Sequence, residues 1–123
     1  MKNISVKKII LDFLLTLGII LIFGLIDYFS HQLSAEYAVP PRYFPNKIIF
    51  GTIIGAISFW LLAGVKRPWL KALIFSVIIA ALLQIRYFFE GYPLDFVILF
   101  LFIHFVILWL VSWGAFKFLK LND

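Results

Sequence analysis

Four nearly continuous apolar runs divide the chain: Ile9 to Phe29, Ile48 to Val65, Leu70 to Phe89 and Leu94 to Phe118. Each is near the roughly 20 residues that a helix needs to cross a hydrocarbon core of about 30 Å. A membrane-spanning strand would instead alternate apolar and polar positions over about ten residues, which none of these runs does. The pattern predicts an all-α integral membrane protein, a single domain with four crossings. Between the first two crossings, "SHQLSAEYAVPPRYFPNK" predicts a long surface loop over about 30–47, held off regular structure by its prolines. "GVKRPW" and "FEGYP" are tight turns, and Pro68 suits the first turn of the third helix. Short connections make consecutive helices antiparallel neighbours, hence an up-down-up-down bundle.

Composition supports the membrane reading: 64% of residues are hydrophobic, 20% aromatic and only 14% charged, far from the balance of a soluble domain. In that setting the net charge of +5 matters for its sidedness and gives no reason to expect a nucleic-acid partner. Lys2, Lys7, Lys8, Lys66, Arg67, Lys71, Lys117 and Lys120 fall on one side, and Arg42, Lys47 and Arg86 on the other. Cytoplasmic loops carry the excess of cations, so both ends are expected in the cytoplasm, at the cell membrane if the host is prokaryotic. The first run is too long for a signal-peptide core and lacks a small-residue cleavage pattern, so it is expected to be a retained anchor. Absence of cysteine excludes disulfides, thiolate metal sites and thiol catalysis.

Helical projection at 3.6 residues per turn gives each crossing an inward stripe. In the first, Asp12, Thr16, Ile19, Phe23, Asp27 and Ser30 share a face. The second offers Gly51, Gly55, Ser58 and Leu62, with glycines spaced for close helix approach. The third offers Ala72, Ser76, Ala80, Leu83 and Tyr87, and the fourth Val97, Phe100, His104, Leu108, Val111 and Ala115. Phe102, Trp109 and Trp113 are expected to face lipid. His104 then lies inside the bundle about 15 Å from either end of its helix, where Ser58 or Ser76 is the expected partner. An ionisable group at that depth is a functional candidate by default. No second histidine or carboxylate is expected at its level, so neither a metal site nor any other cofactor is expected.

Nearer the outer surface, Asp27 and His31 are spaced i, i+4 on one face. With Glu36, Arg42, Arg86, Glu90 and Asp95 they form a candidate outer polar cluster for a cation, a phosphate or a lipid headgroup, or simply a set of interfacial pairs such as Asp27 with Arg86. Asp12 is expected to pair with Lys8 one turn away. No zinc-protease helix, phosphate loop or nucleophile elbow occurs, so no catalytic residue is assigned.

"YFPNKIIFGTIIGAISFWL" and "KRPWLKALIFSVIIAALLQIRYFFEGYPLDF" resemble stretches of the Insig family of membrane proteins, through Arg67, Gln84, Tyr87, Gly91, Asp95 and Phe96. The chain lacks the middle pair of crossings of that family. The resemblance implies a non-enzymatic protein that binds a sterol-like or other lipid between helices, with Gln84 among the site residues, and regulates a membrane partner. From the residues themselves, His104, Ser76, Ser58, Gly51 and Gly55 are the expected ligand-binding or helix-docking positions, with membrane lipids, a partner protein or further copies of the chain as partners. The alternatives are an oligomeric transporter or channel subunit for an ion, proton or small solute, and a lipid-modifying enzyme acting through Asp27 and His31.

Overall fold

The computed structural model describes residues 5–119, so Lys2 and Lys120 of the charge count lie outside the described residues. The described chain forms α1 (Val6–His31), a short 3-10 turn (Ala35–Tyr37), α2 (Tyr43–Leu61), α3 (Pro68–Phe89) and α4 (Leu94–Leu119). All four α-helices are long and apolar enough to cross a membrane, and they mark the chain as a membrane protein. Ser5 caps α1 by accepting the Lys8 backbone N–H at 3.1 Å, and Pro68 opens α3. Gly91, at φ +87°, takes the left-handed conformation that lets the chain reverse after α3.

Apolar residues occupy both the inside and the outside of the bundle. Ile19, Ile20, Phe23, Phe59, Phe75, Ile79 and Leu108 form the main core, while Leu25, Phe50, Phe88 and Phe102 are exposed on outer faces. That is the pattern of helices surrounded by lipid. The small residues of α2 meet α1 closely. A Cβ added at Gly51 would come within 3.3 Å of Ile20, and one at Gly55 within 2.7 Å of Thr16 Cγ2.

Two expectations change. Helix α2 starts at Tyr43, several residues before the apolar run, because Pro45 fits a first helical turn and needs no amide partner there. Lys47 is therefore a helical residue, and it is buried at 5% exposure. On α4, burial drifts from Val111 and Ala115 to Ser112 and Phe116. Trp109 and Trp113 consequently pack partly against the core rather than wholly facing outward, and Trp109 Nε1 donates to the Trp69 carbonyl at 3.3 Å.

Candidate cation centre

Asp27, His31 and His104 are fully or almost fully buried, and they meet. His104 Nε2 donates to Asp27 Oδ1 at 2.7 Å, and His31 Nε2 lies 3.3 Å from the same oxygen. Lys47 Nζ donates to Asp27 Oδ2 at 2.5 Å and to His31 Nε2 at 3.1 Å, and it also faces the rings of Phe44 and Tyr87. The carboxylate thus holds the Lys47 ammonium and the His104 imidazole away from water, and the ammonium in turn holds His31, an arrangement costly unless every member has a partner.

The outer contacts set the imidazole tautomers. The Tyr37 carbonyl accepts from His31 Nδ1 at 2.6 Å, and a carbonyl can only accept, so His31 carries its proton on Nδ1 and turns a lone pair on Nε2 inward. Tyr87 also donates to that Nε2, at 3.3 Å. Gln84 Nε2 donates to His104 Nδ1 at 2.7 Å, which puts the His104 proton on Nε2, toward Asp27. Gln84 Oε1 is left buried without a hydrogen-bond partner. Turning this amide over would place Oε1 on Nδ1–H and bare the Nε2 lone pair of His104. Both imidazoles would then present Nε2 inward, each anchored through Nδ1–H to a carbonyl oxygen, as in metal-ligating histidines. One donor atom each from Asp27, His31 and His104 already lies within 4.8 Å of the others.

Several sequence expectations are corrected here. A carboxylate and a second histidine do reach the level of His104, because the helices are staggered. Asp27 lies four residues before the end of α1 and His104 ten residues after the start of α4, so α4 overshoots α1 by about 9 Å at this end. Counting depth from each helix's own end missed this. Neither serine pairs with His104: Ser58 donates to the Ile54 carbonyl at 2.8 Å and Ser76 pairs with Ser112 at 3.4 Å. Asp27 pairs with Lys47, not Arg86. Arg86 instead lies over the Tyr43 ring at 4.4 Å and 4.0 Å from Glu90, whose carboxylate accepts from the Tyr43 hydroxyl at 2.5 Å.

Glu36, Arg42 and Asp95 stay at the surface and do not join Asp27 and His31. Glu36 and Asp95 flank a surface cleft of 410 Å³ floored partly by Tyr37 and Phe96, and Phe96 in turn packs beside the His31 ring. The His31 ring also stacks on Phe100 at 4.1 Å. Gly51 and Gly55 act in the α1–α2 contact rather than at the centre. Lys8 donates to both Asp12 oxygens, at 3.2 and 3.1 Å, the local pair that its spacing implied. Lys47, Tyr37 and Ser112 were not foreseen. For Lys47 the usable signal was Pro45, which fits a first helical turn and so puts the helix start before Lys47. Comparison with protein-family models, with curated proteins and with solved structures finds no match to this chain.

Proposed function

We propose that the chain is a membrane transport subunit for a transition-metal dication, bound by Asp27, His31 and His104. The observation that carries this is the convergence of one carboxylate and two imidazoles in an apolar interior. Two imidazoles and one carboxylate with a position left open are a donor set suited to borderline dications such as Zn²⁺ or Fe²⁺. Lys47 holds the carboxylate until the metal replaces its ammonium. The acidic cleft flanked by Glu36 and Asp95 would concentrate cations above the centre.

The topology belongs to the same proposal: up-down-up-down, with both ends cytoplasmic. Its support is the excess of lysine and arginine at the two ends and in the α2–α3 turn. The centre then lies toward the outer face. Four helices rarely enclose a pathway alone, so transport is assigned to an assembly of several copies. The lipid-binding reading implied by the Insig resemblance has separate support in a crevice between α2 and α3, treated below.

Tag-free protein in detergent, titrated with Co²⁺, tests the proposal. The expected result is uptake of one metal per chain with ligand-field bands in the visible, lost in His31→Ala, His104→Ala and Asp27→Asn. Proteoliposomes containing a Zn²⁺-sensitive dye should then accumulate the metal, and His104→Ala should abolish accumulation. Absence of stoichiometric Co²⁺ binding by the folded wild type would refute the metal reading. Stoichiometric binding without flux would refute the transport reading.

A further inference from the structure

Between α2 and α3 lies a crevice of 240 Å³ with an uneven lining. At its outer end stand Tyr43, Asn46, Lys47 and Arg86, from the first turns of α2 and the last turns of α3. One to two turns deeper the walls are apolar, with Phe50 and Leu82 both exposed toward the surrounding lipid. Cations near the helix ends above an apolar slot opening sideways match an acidic lipid in charge and in shape.

The nearby anions leave room for such a ligand. Glu90 is drawn to the Tyr43 hydroxyl and does not line the crevice. Its 4.0 Å separation from Arg86 Nε is too long for a hydrogen bond, and Arg86 is 37% exposed at the side chain. Asp27 holds Lys47 from α1 and does not itself line the crevice. A guanidinium in this position presents a planar pair of N–H groups suited to phosphate oxygens.

We infer that the α2–α3 crevice binds an anionic phospholipid, its phosphate beside Arg86 and Lys47 and one acyl chain along Phe50 and Leu82. Lys47 is shared between this crevice and the Asp27 centre. A dication at Asp27 repels the Lys47 ammonium, and a phosphate in the crevice receives it. The two ligands therefore favour each other's binding, and the coupling is reciprocal. The coupling rests on the metal reading proposed above, whereas the lipid site stands without it.

Native mass spectrometry of the full chain in detergent is the test, with phosphatidylglycerol and phosphatidylcholine of identical acyl chains as probes. One phosphatidylglycerol should be retained per chain, about tenfold in preference to phosphatidylcholine. Arg86→Gln should abolish the preference. Leu82→Trp, which fills the slot and leaves both cations in place, should reduce retention of both lipids. Equal retention of the two lipids by the wild type would overturn the site, as would a preference unchanged in both variants. In a second arm, phosphatidylglycerol should tighten Zn²⁺ binding several-fold in the wild type but not in Arg86→Gln. Unchanged Zn²⁺ affinity overturns the coupling. If no Zn²⁺ binds while the lipid preference holds, the metal reading fails and the lipid site remains.

Discussion

Replacing Lys47 by methionine isolates the electrostatics of the centre. The ammonium lies 2.5 Å from Asp27 Oδ2, with side-chain exposures of 5% and 0%. At an effective dielectric of about 20, two unit charges at that distance attract by about 6 to 7 kcal/mol. Desolvation of both groups offsets much of this, so the pair adds little net stability while each partner depends strongly on the other. Lys47→Met keeps the stem's volume and leaves the Asp27 carboxylate with the His104 N–H as its main partner. The expected cost is about 3 to 5 kcal/mol, the range seen when one member of a buried pair is removed.

The double variant with Asp27→Asn should then be more stable than Lys47→Met alone, because an amide at 27 still accepts from His104 Nε2 and no charge remains stranded. Stability is read from unfolding in mixed micelles by a denaturing detergent, followed by tryptophan fluorescence. Saturating Zn²⁺ supplies a second reading. At about one hundred times its Kd a ligand adds about 2.7 kcal/mol, and Lys47→Met should recover at least that much while the wild type gains less, since its own ammonium must first be displaced. A cost below about 1 kcal/mol for Lys47→Met, or a strictly additive double variant, would refute this account of the centre.

Three further outcomes are expected. Gly55→Ala should destabilise the bundle by about 1 to 3 kcal/mol through overpacking, since the added carbon would lie 2.7 Å from Thr16 Cγ2; adding Thr16→Ser, which removes that methyl, should restore most of the loss in the same unfolding assay, and no rescue means the contact is not the cause. Gln84→Met should weaken Co²⁺ binding about 10- to 100-fold, as loss of an outer partner of a metal-bound histidine does, with the fold intact by circular dichroism; wild-type affinity in this variant would remove Gln84 from the site. Because the chain has no cysteine, spin labels can be placed singly at the exposed Leu25 and Phe102, and metal is expected to narrow their distance distribution; identical distributions with and without metal would show that the ligand does not bridge α1 and α4.

The four helices were legible because a lipid surround removes the usual ambiguity of apolar runs: long, continuous and unalternating segments admit only helices. Most inward stripes were legible for the same reason, as with Asp12, Thr16, Ile19, Phe23 and Asp27 on α1. The centre was only half legible. Projection around an axis gives a side chain's direction, so it turned both Asp27 and His104 inward, but it gives no relative height between helices. The stagger of α1 and α4 is a property of the packed bundle, in which Phe23 and Phe100 each pack against the His104 ring. Lys47 was hidden differently. Its charge placed it in the loop, and only the proline two residues before it signals that the helix had already begun.

The contacts among the helices indicate where a bound metal would act. Three polar contacts at different levels join α3 to α4: Gln84 with His104, Ser76 with Ser112, and Trp109 with the Trp69 carbonyl. Helix α1 is joined to α2 by Lys47 and Asp27 and by the close approach at Gly51 and Gly55. Between these two pairs, the hydrogen bond from His104 to Asp27 and the contact of Tyr87 with His31 belong to the centre, while the Tyr43–Glu90 hydrogen bond and Arg86 over the Tyr43 ring join α2 to the end of α3 beside it. The donors are divided in the same way, Asp27 and His31 on α1 and His104 on α4. A dication held by all three would therefore add a clamp across the seam between the α1–α2 pair and the α3–α4 pair. Toward the other end that seam is closed by apolar side chains, among them Ile19, Phe75 and Leu108, which a hydrated cation cannot cross. On the transport reading proposed above, movement of the two pairs relative to each other is the required step, and a dication bridging α1 and α4 would oppose it.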